Sequence, residues 1–278
     1  MDRQDDSSAG HRRLTEQLTE AVAPEATEPI LRLRGIGRRF GGLHAVRDVD
    51  LDVPYGERRA ILGPNGAGKT TLFNVISGDV AASTGTIDFM GEDVGMLPPR
   101  ARAKLGMGRT YQQSRSFHGL TVEDNLYLAV LGTRGGHLRP VLLRRRDAEL
   151  RDRARELAAA VGLGPRARTL VGSLSHGEQR QLEVAMARAS NPRLMMLDEP
   201  ASGLSRGERV ALTELLLGID PSITLIIIEH DMDVALRVAT QVTMMHDGRV
   251  IVEGTPDEIR ANQTVHDLYL GRGNRHDG

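Results

Sequence analysis

Alternation of hydrophobic and polar residues marks the first strands of the chain. Residues 30–33 and 46–53 alternate with a period of two, which is typical of strands that bury one face. Continuously apolar runs indicate buried strands at residues 59–62, 194–197 and 223–228, and a further strand at 86–89 is closed by a glycine. Residues 242–253 predict a hairpin around Asp247-Gly248, a dipeptide that favours two-residue turns.

Stretches with helical spacing lie between these strands. They cover residues 69–77, 121–131, 146–161, 175–189, 206–217 and 232–239, and two short helices follow near the C-terminus. Because strands and helices alternate, the chain predicts an α/β fold with a mostly parallel sheet. Three successive helical stretches without a strand between them predict a helical insertion at about residues 115–190.

Composition narrows the class of protein. The 278 residues are 40% apolar and 26% charged, with a net charge of -1, so nothing favours a nucleic-acid binder. The chain has no cysteine, which excludes disulfides, zinc–thiolate sites and cysteine nucleophiles. No apolar run reaches the length of a membrane span. We predict a disordered tail at 1–28 with a short helix near 13–22, one domain at 29–271 with a surface insertion at 132–146, and a second tail at 272–278.

One glycine-rich loop carries the clearest chemistry. The pattern G-x-x-x-x-G-K-[ST] is complete in Gly63, Pro64, Asn65, Gly66, Ala67, Gly68, Lys69 and Thr70. Its glycines let backbone N–H groups point at phosphate oxygens, and the helix that follows, which includes Thr71, offers its positive end. Lys69 is expected on the β- and γ-phosphates and Thr70 on Mg²⁺. A fortuitous turn is disfavoured because a strand ends just before the loop and a helix begins just after it.

Two carboxylates follow the apolar strand at 194–197. Asp198 and Glu199 should lie at the carboxyl edge of the sheet, where α/β sheets bind their ligands. Asp198 is a candidate for holding Mg²⁺, and Glu199 is a candidate general base for an attacking water. On its own, such a pair of carboxylates could equally be the solvent-exposed end of a strand. Here a complete phosphate-binding loop precedes the pair, which favours a role in the nucleotide site.

A second helix start also has the features of an anion site. Ser175 and Glu178 have the spacing of a capping box, and Gly177 permits close approach of a ligand. The alternative is ordinary capping of an internal helix.

These elements, in this order, resemble the nucleotide-binding subunit of an ATP-binding cassette (ABC) transporter. Leu174-Ser175-His176-Gly177-Glu178 stands where the family has Leu-Ser-Gly-Gly-Gln, just upstream of the strand that ends in Asp198-Glu199. The resemblance implies a P-loop NTPase core with a mostly parallel sheet, an antiparallel β subdomain and a helical insertion subdomain. It also implies that Ser175, Gly177 and Glu178 belong to the nucleotide site of a facing subunit.

The resemblance assigns further residues. It implies that Phe40 stacks on adenine and that Gln112 contacts Mg²⁺ or the attacking water and senses the membrane partner. It implies that His230 contacts the γ-phosphate, and so places Glu199, His230, Gln112 and Lys69 in the catalytic site. Ser205 stands where many members have aspartate.

The subfamily that handles branched-chain amino acids, amides or urea is similar in several segments. These are residues 40–46, 174–179, 229–232 and 253–271. The resemblance implies an ATP- and Mg²⁺-dependent motor of an importer, peripheral at the cytoplasmic face of the membrane. Its expected partners are a second copy or a sister ATPase, permease subunits and an extracytoplasmic solute-binding protein. The alternatives are the ATPase of a lipid or lipopolysaccharide exporter, a soluble ABC-type ATPase, a small-molecule kinase and a pure binding module.

Overall fold

The computed structural model describes residues 28–110, 116–133 and 143–270. The predicted helix near 13–22, Gln112, the larger part of the 132–146 insertion and the 272–278 tail lie outside these residues, and the proposed domain limits stay a prediction.

Two sheets form the framework. The strands of the described residues are β1 Pro29–Phe40, β2 Leu43–Pro54, β3 Arg58–Leu62, β4 Thr84–Phe89, β5 Glu92–Asp93, β6 Met107–Arg109, β7 Leu194–Asp198, β8 Thr224–Ile228, β9 Gln241–His246 and β10 Arg249–Gly254. The smaller sheet is antiparallel, in the order β2-β1-β4-β5. The larger sheet has the order β10-β9-β3-β8-β7-β6, and β10 is its antiparallel edge. The predicted fold class is confirmed.

Nine helices accompany these sheets in the described part of the chain. They are α1 Lys69–Ser77, α2 Pro99–Lys104, α3 Val122–Thr133, α4 Leu143–Ala160, α5 His176–Arg188, α6 Arg206–Leu217, α7 Met232–Val238, α8 Pro256–Ala261 and α9 Gln263–Leu270. None of them combines the length and apolar character that a membrane crossing requires.

The first two strands are longer than the alternation predicted. β1 changes register against β2 at four places, between Pro29 and Leu31, Leu33 and Ile36, Ile36 and Arg38, and Arg38 and Arg39, and its burial does not alternate strictly along its length. Each bulge adds a residue to one strand and so interrupts the period of two. The sequence therefore predicted only the first part of β1, residues 30–33. α2 and β6 were not predicted either, because six and three residues are too few for a periodic pattern.

Helix α1 lies between the two sheets. Its residues Leu72, Phe73, Val75 and Ile76 are fully buried and share one core with residues of both sheets. A second core joins α3, α4 and α5 through residues such as Leu126, Leu157 and Leu182. Because β3, β8 and β7 are adjacent and parallel, their carboxyl ends meet at one edge. The phosphate-binding loop, Asp198-Glu199 and His230 all follow these ends.

Candidate active site

The phosphate-binding loop is shaped by close backbone contacts. Gly63 and Gly68 have φ values of 149° and 97°, a region that L side chains rarely adopt. A Cβ atom at Gly63 would collide with the carbonyl oxygen of Met245, and one at Gly68 with that of Ala45. The Gly248 N–H also donates to the Ala67 carbonyl oxygen at 3.0 Å. Strands β2 and β9 therefore hold the loop from both sides.

Lys69 lies folded onto this loop. Its side chain is largely buried, and its Nζ donates to the carbonyl oxygens of Gly63 at 2.6 Å and Pro64 at 3.1 Å. Burial lowers the pKa of Lys69, while the nearby Glu199 and Asp198 carboxylates act in the opposite direction. The ammonium is thus held at the loop where a phosphate would replace the carbonyl oxygens.

A cleft of about 380 Å³ opens on this loop. Its lining residues are Leu43, His44, Ala45, Arg47, Asn65, Gly66, Ala67, Gly68, Lys69, Thr70, Thr71, Glu199, Asp247 and Gly248. A volume of this size suits a small-molecule ligand. Phe40 does not line the cleft but lies beyond the turn that leads to Leu43. Its ring is 45% exposed, with the Arg38 guanidinium 4.4 Å from its centroid.

Asp198 provides a buried oxygen without a partner. Its side chain is 1% exposed, and Oδ1 has no hydrogen-bond partner among the described residues. Oδ2 lies 3.4 Å from Nη2 of Arg109. Burial raises the pKa of Asp198 and Arg109 opposes the change. A carboxylate oxygen without a hydrogen-bond partner is a ligand that suits a hard cation such as Mg²⁺.

Arg109 connects this carboxylate to α1. Its guanidinium donates to Asn74 Oδ1 at 2.6 Å, to Asp79 Oδ2 at 2.6 Å and to the Ser77 hydroxyl, and it stacks 4.9 Å from the Phe73 ring centroid. The sequence analysis did not select Arg109, because its partners are 30 to 89 residues away along the chain.

Glu199 adopts a left-handed backbone conformation. Its φ is 48°, which is uncommon for a residue other than glycine and concentrates at functional sites. The Glu199 N–H donates to the Ile228 carbonyl oxygen at 2.9 Å, and this bond fixes the turn to the neighbouring strand. The residue lines the cleft that opens on the phosphate-binding loop.

His230 follows a fully buried carboxylate. Its imidazole is 53% exposed, and Nδ1 lies 4.0 Å from Glu229 Oε2. Glu229 accepts hydrogen bonds from the N–H groups of Ala201 at 2.7 Å and His230 at 3.2 Å. Burial raises the pKa of Glu229. The sequence analysis did not assign Glu229 a role, although a carboxylate directly after an apolar strand is the same signal that selected Asp198.

The second predicted helix start has the expected cap. The Ser175 hydroxyl accepts from the Glu178 N–H at 3.2 Å, and Glu178 Oε2 accepts from the Ser175 N–H at 2.9 Å, which confirms the capping box. The Gly177 N–H donates to Glu208 Oε1 at 2.9 Å, a contact that the sequence did not predict. Within the described residues, neither Ser175 nor Gly177 lines the cleft. This helix start is therefore not part of the cleft in its own subunit.

A phosphate-binding loop and two acidic residues at the edge of a parallel sheet define an ATPase of the P-loop class. The family model described as "ABC transporter" matches residues 46–202, and one described as "Branched-chain amino acid ATP-binding cassette transporter" matches residues 249–274. The chain belongs to the ABC transporter family and is an ATP-hydrolysing cassette of that family.

Individual relatives support this assignment. The chain is 36% identical to "High-affinity branched-chain amino acid transport ATP-binding protein LivG" of Escherichia coli (strain K12) over 252 residues, covering 88% of this chain and 99% of that protein. The ADP conformation of MJ1267, an ATP-binding cassette of an ABC transporter, has a TM-score of 0.79 at 28% identity, with 88% and 100% covered. The dimeric structure of MJ0796, a bacterial ABC transporter cassette, has a TM-score of 0.70 at 25% identity, with 81% and 98% covered.

Proposed function

We propose that this chain is the ATP-hydrolysing motor of an importer for branched-chain amino acids or a related small polar solute. The observation that carries the proposal is the separation of two helix starts that have the features of anion sites: Lys69 begins one in the cleft, and Ser175 caps another that does not line it. One chain thus holds two halves of different sites, which suits a head-to-tail pair. LivG, which is named as a branched-chain amino acid transport protein, supports the class of solute.

The proposed dimer contains a second copy or a sister ATPase. Each nucleotide lies between the phosphate-binding loop of one subunit and the Ser175–Gly177 helix start of the other. MJ0796, whose cassette is dimeric, supports this arrangement. The pair lies at the cytoplasmic face of the membrane on permease subunits, which receive solute from an extracytoplasmic binding protein.

The residues of the site have separate proposed roles in ATP hydrolysis. The loop N–H groups and Lys69 hold the β- and γ-phosphates. Thr70 and the free Oδ1 of Asp198 hold Mg²⁺, which neutralises phosphate charge when bound. Glu199 accepts a proton from the attacking water, whose oxygen forms a bond to the γ-phosphorus as the bond to ADP breaks.

Five further residues complete the proposed site. His230 and the facing Ser175 and Gly177 contact the γ-phosphate, and Phe40 at the end of β1 supports adenine. Gln112 lies outside the described residues and is proposed to contact Mg²⁺ or water and to report on the permease. Release of phosphate removes the ligand that joins the subunits, so hydrolysis reopens the dimer.

The test combines binding, turnover and association. Glu199→Gln should bind ATP with unchanged affinity, lose at least about a hundredfold in turnover because it lacks the base, and accumulate a dimer in analytical ultracentrifugation with Mg-ATP. Glu258→Gln, at the cap of α8, is the matched control and should behave as the wild type. Normal turnover of the Glu199→Gln protein, or an ATPase rate per subunit that stays constant on dilution, would refute the mechanism.

The solute is tested with the reconstituted complex. This chain is reconstituted with its permease subunits and binding protein in proteoliposomes. Its rate of ATP hydrolysis should rise when a branched-chain amino acid is added on the side of the binding protein. Stimulation by a lipid substrate, with no response to any amino acid, would reject the importer and favour an exporter.

A further inference from the structure

Glu208 touches two helix starts at once. It lies on the first turn of α6, where Oε2 accepts from the Ser205 N–H at 3.0 Å and from the Ser205 hydroxyl at 2.8 Å. These bonds cap its own helix. Its other oxygen, Oε1, accepts from the Gly177 N–H at the start of α5, 2.9 Å away. One carboxylate therefore serves as cap for α6 and as ligand for α5.

The contact with α5 depends on the absence of a side chain at Gly177. A Cβ atom there would lie 2.7 Å from both Cγ and Oε1 of Glu208. Such a distance is too short for any real contact, so Glu208 can bond to this helix start only because residue 177 is a glycine. Hydrogen bonds from Ser205 and from the Gly177 N–H, with a smaller contribution from the Ser175 hydroxyl, lower the pKa of Glu208 to about 2.

Two of the groups that interact with Glu208, the Gly177 N–H and the Ser175 hydroxyl, are the ones that the proposed function assigns to phosphate. A carboxylate oxygen and a phosphate oxygen are both anionic acceptors, and a helix N-terminus favours either. The Gly177 N–H has one hydrogen and cannot bond fully to both. Two anions at one helix start also repel each other. Glu208 and the γ-phosphate of a facing nucleotide are therefore alternative ligands of the same groups.

We propose that Glu208 occupies, within its own subunit, the place that the γ-phosphate of the partner's ATP takes in the closed dimer, and that ATP must displace it. This inference rests on the proposed function, because it takes Ser175 and Gly177 to be phosphate ligands in trans. Displacement leaves the bonds of Glu208 to Ser205 intact, so α6 keeps its cap while its link to α5 breaks. The carboxylate thus discourages closure until a γ-phosphate is present, and it is restored when phosphate leaves.

The test measures closure without turnover. In the Glu199→Gln background, Glu208→Gln removes the charge at nearly constant shape. We expect the ATP concentration for half-maximal dimerisation, measured by analytical ultracentrifugation, to fall by about three- to tenfold, in line with the loss of one charge-assisted competitor. Glu258→Gln removes an equivalent capping carboxylate at Thr255, far from α5, and should leave this concentration unchanged. An unchanged or higher concentration for Glu208→Gln would overturn the proposal.

Two further variants separate the possible failures. Glu208→Asp keeps the charge but is one methylene shorter, so it should withdraw from Gly177 and also lower the ATP requirement; wild-type behaviour would count against the inference. Ser175→Arg, in the same background, should abolish ATP-driven dimerisation. If it does not, the proposed function itself fails. If it does while Glu208→Gln has no effect, only the role of Glu208 is refuted.

Discussion

Replacement of Arg109 by methionine should destabilise the protein by leaving a carboxylate buried without its cation. The Arg109 side chain is 7% exposed and that of Asp198 is 1% exposed, so neither charge can be rehydrated without local opening. Methionine retains the aliphatic part of the side chain but not the guanidinium that stacks on Phe73. The change therefore removes mainly the charge and its hydrogen bonds to Asn74, Asp79 and Asp198.

The magnitude follows from these contacts. Removing one partner of a buried ion pair costs about 3–5 kcal/mol in the free energy of unfolding. The distance of 3.4 Å to Asp198 is long and Asp79 is 26% exposed, so the lower end, about 3 kcal/mol, is expected. The same substitution at Arg34, whose ion pair with Asp52 is about half exposed, should cost less than about 1 kcal/mol.

Urea unfolding of four proteins forms the assay: wild type, Arg109→Met, Asp198→Asn and the double variant. Because Asp198→Asn removes the stranded charge, the double variant should recover at least about 1 kcal/mol relative to the sum of the single changes. A loss for Arg109→Met no larger than that for Arg34→Met would refute the reasoning. Strictly additive single changes would show that Arg109 acts through α1 alone.

Two further predictions concern the loop and the α5–α6 contact. Gly63→Ala should weaken binding of a fluorescent ATP analogue by at least about tenfold, since its Cβ meets the Met245 carbonyl; Gly119→Ala, with open space around it, is the control, and equal affinities would contradict the argument. The pKa of Glu208 falls from 4.5 to about 2 on folding, so its carboxylate stabilises the fold above pH 4.5 and loses this effect towards pH 2. The difference in unfolding free energy between wild type and Glu208→Gln, followed by urea titration, should shrink over this range, and a constant difference would count against it.

The sequence predicted those parts of the site that depend on residues close together in the chain. The phosphate-binding loop, the Ser175–Glu178 cap and the turn at Asp247-Gly248 each depend on residues a few positions apart, and the structure has all three. The apolar runs predicted β7 and β8 to within a residue or two, because both are fully buried on both faces.

Contacts between residues far apart in the sequence could not be predicted from such local patterns. Ser205 and Glu208 have visible capping spacing, but the bond from Gly177 spans 31 residues and depends on how α5 and α6 pack. The pairing of Arg109 with Asp198 spans 89 residues. Such separations along the chain leave no periodic pattern in the sequence. Arg109 and Glu208, which connect parts of the site, were therefore not predicted, whereas residues in motifs with a fixed spacing were. The roles assigned to the individual site residues, among them Phe40, Glu199 and His230, stay predictions.

The packing of Met245 and Ala45 against the two loop glycines has a consequence for the use of binding energy. A loop that was mobile before ATP arrived would have to be ordered on binding, at a cost in conformational entropy. Here the backbone of β2 and β9 already fixes its shape. Little of the binding free energy of the triphosphate is therefore needed to order the loop. In the proposed mechanism, the remainder is available for the association of two subunits, the step that a transporter can convert into movement.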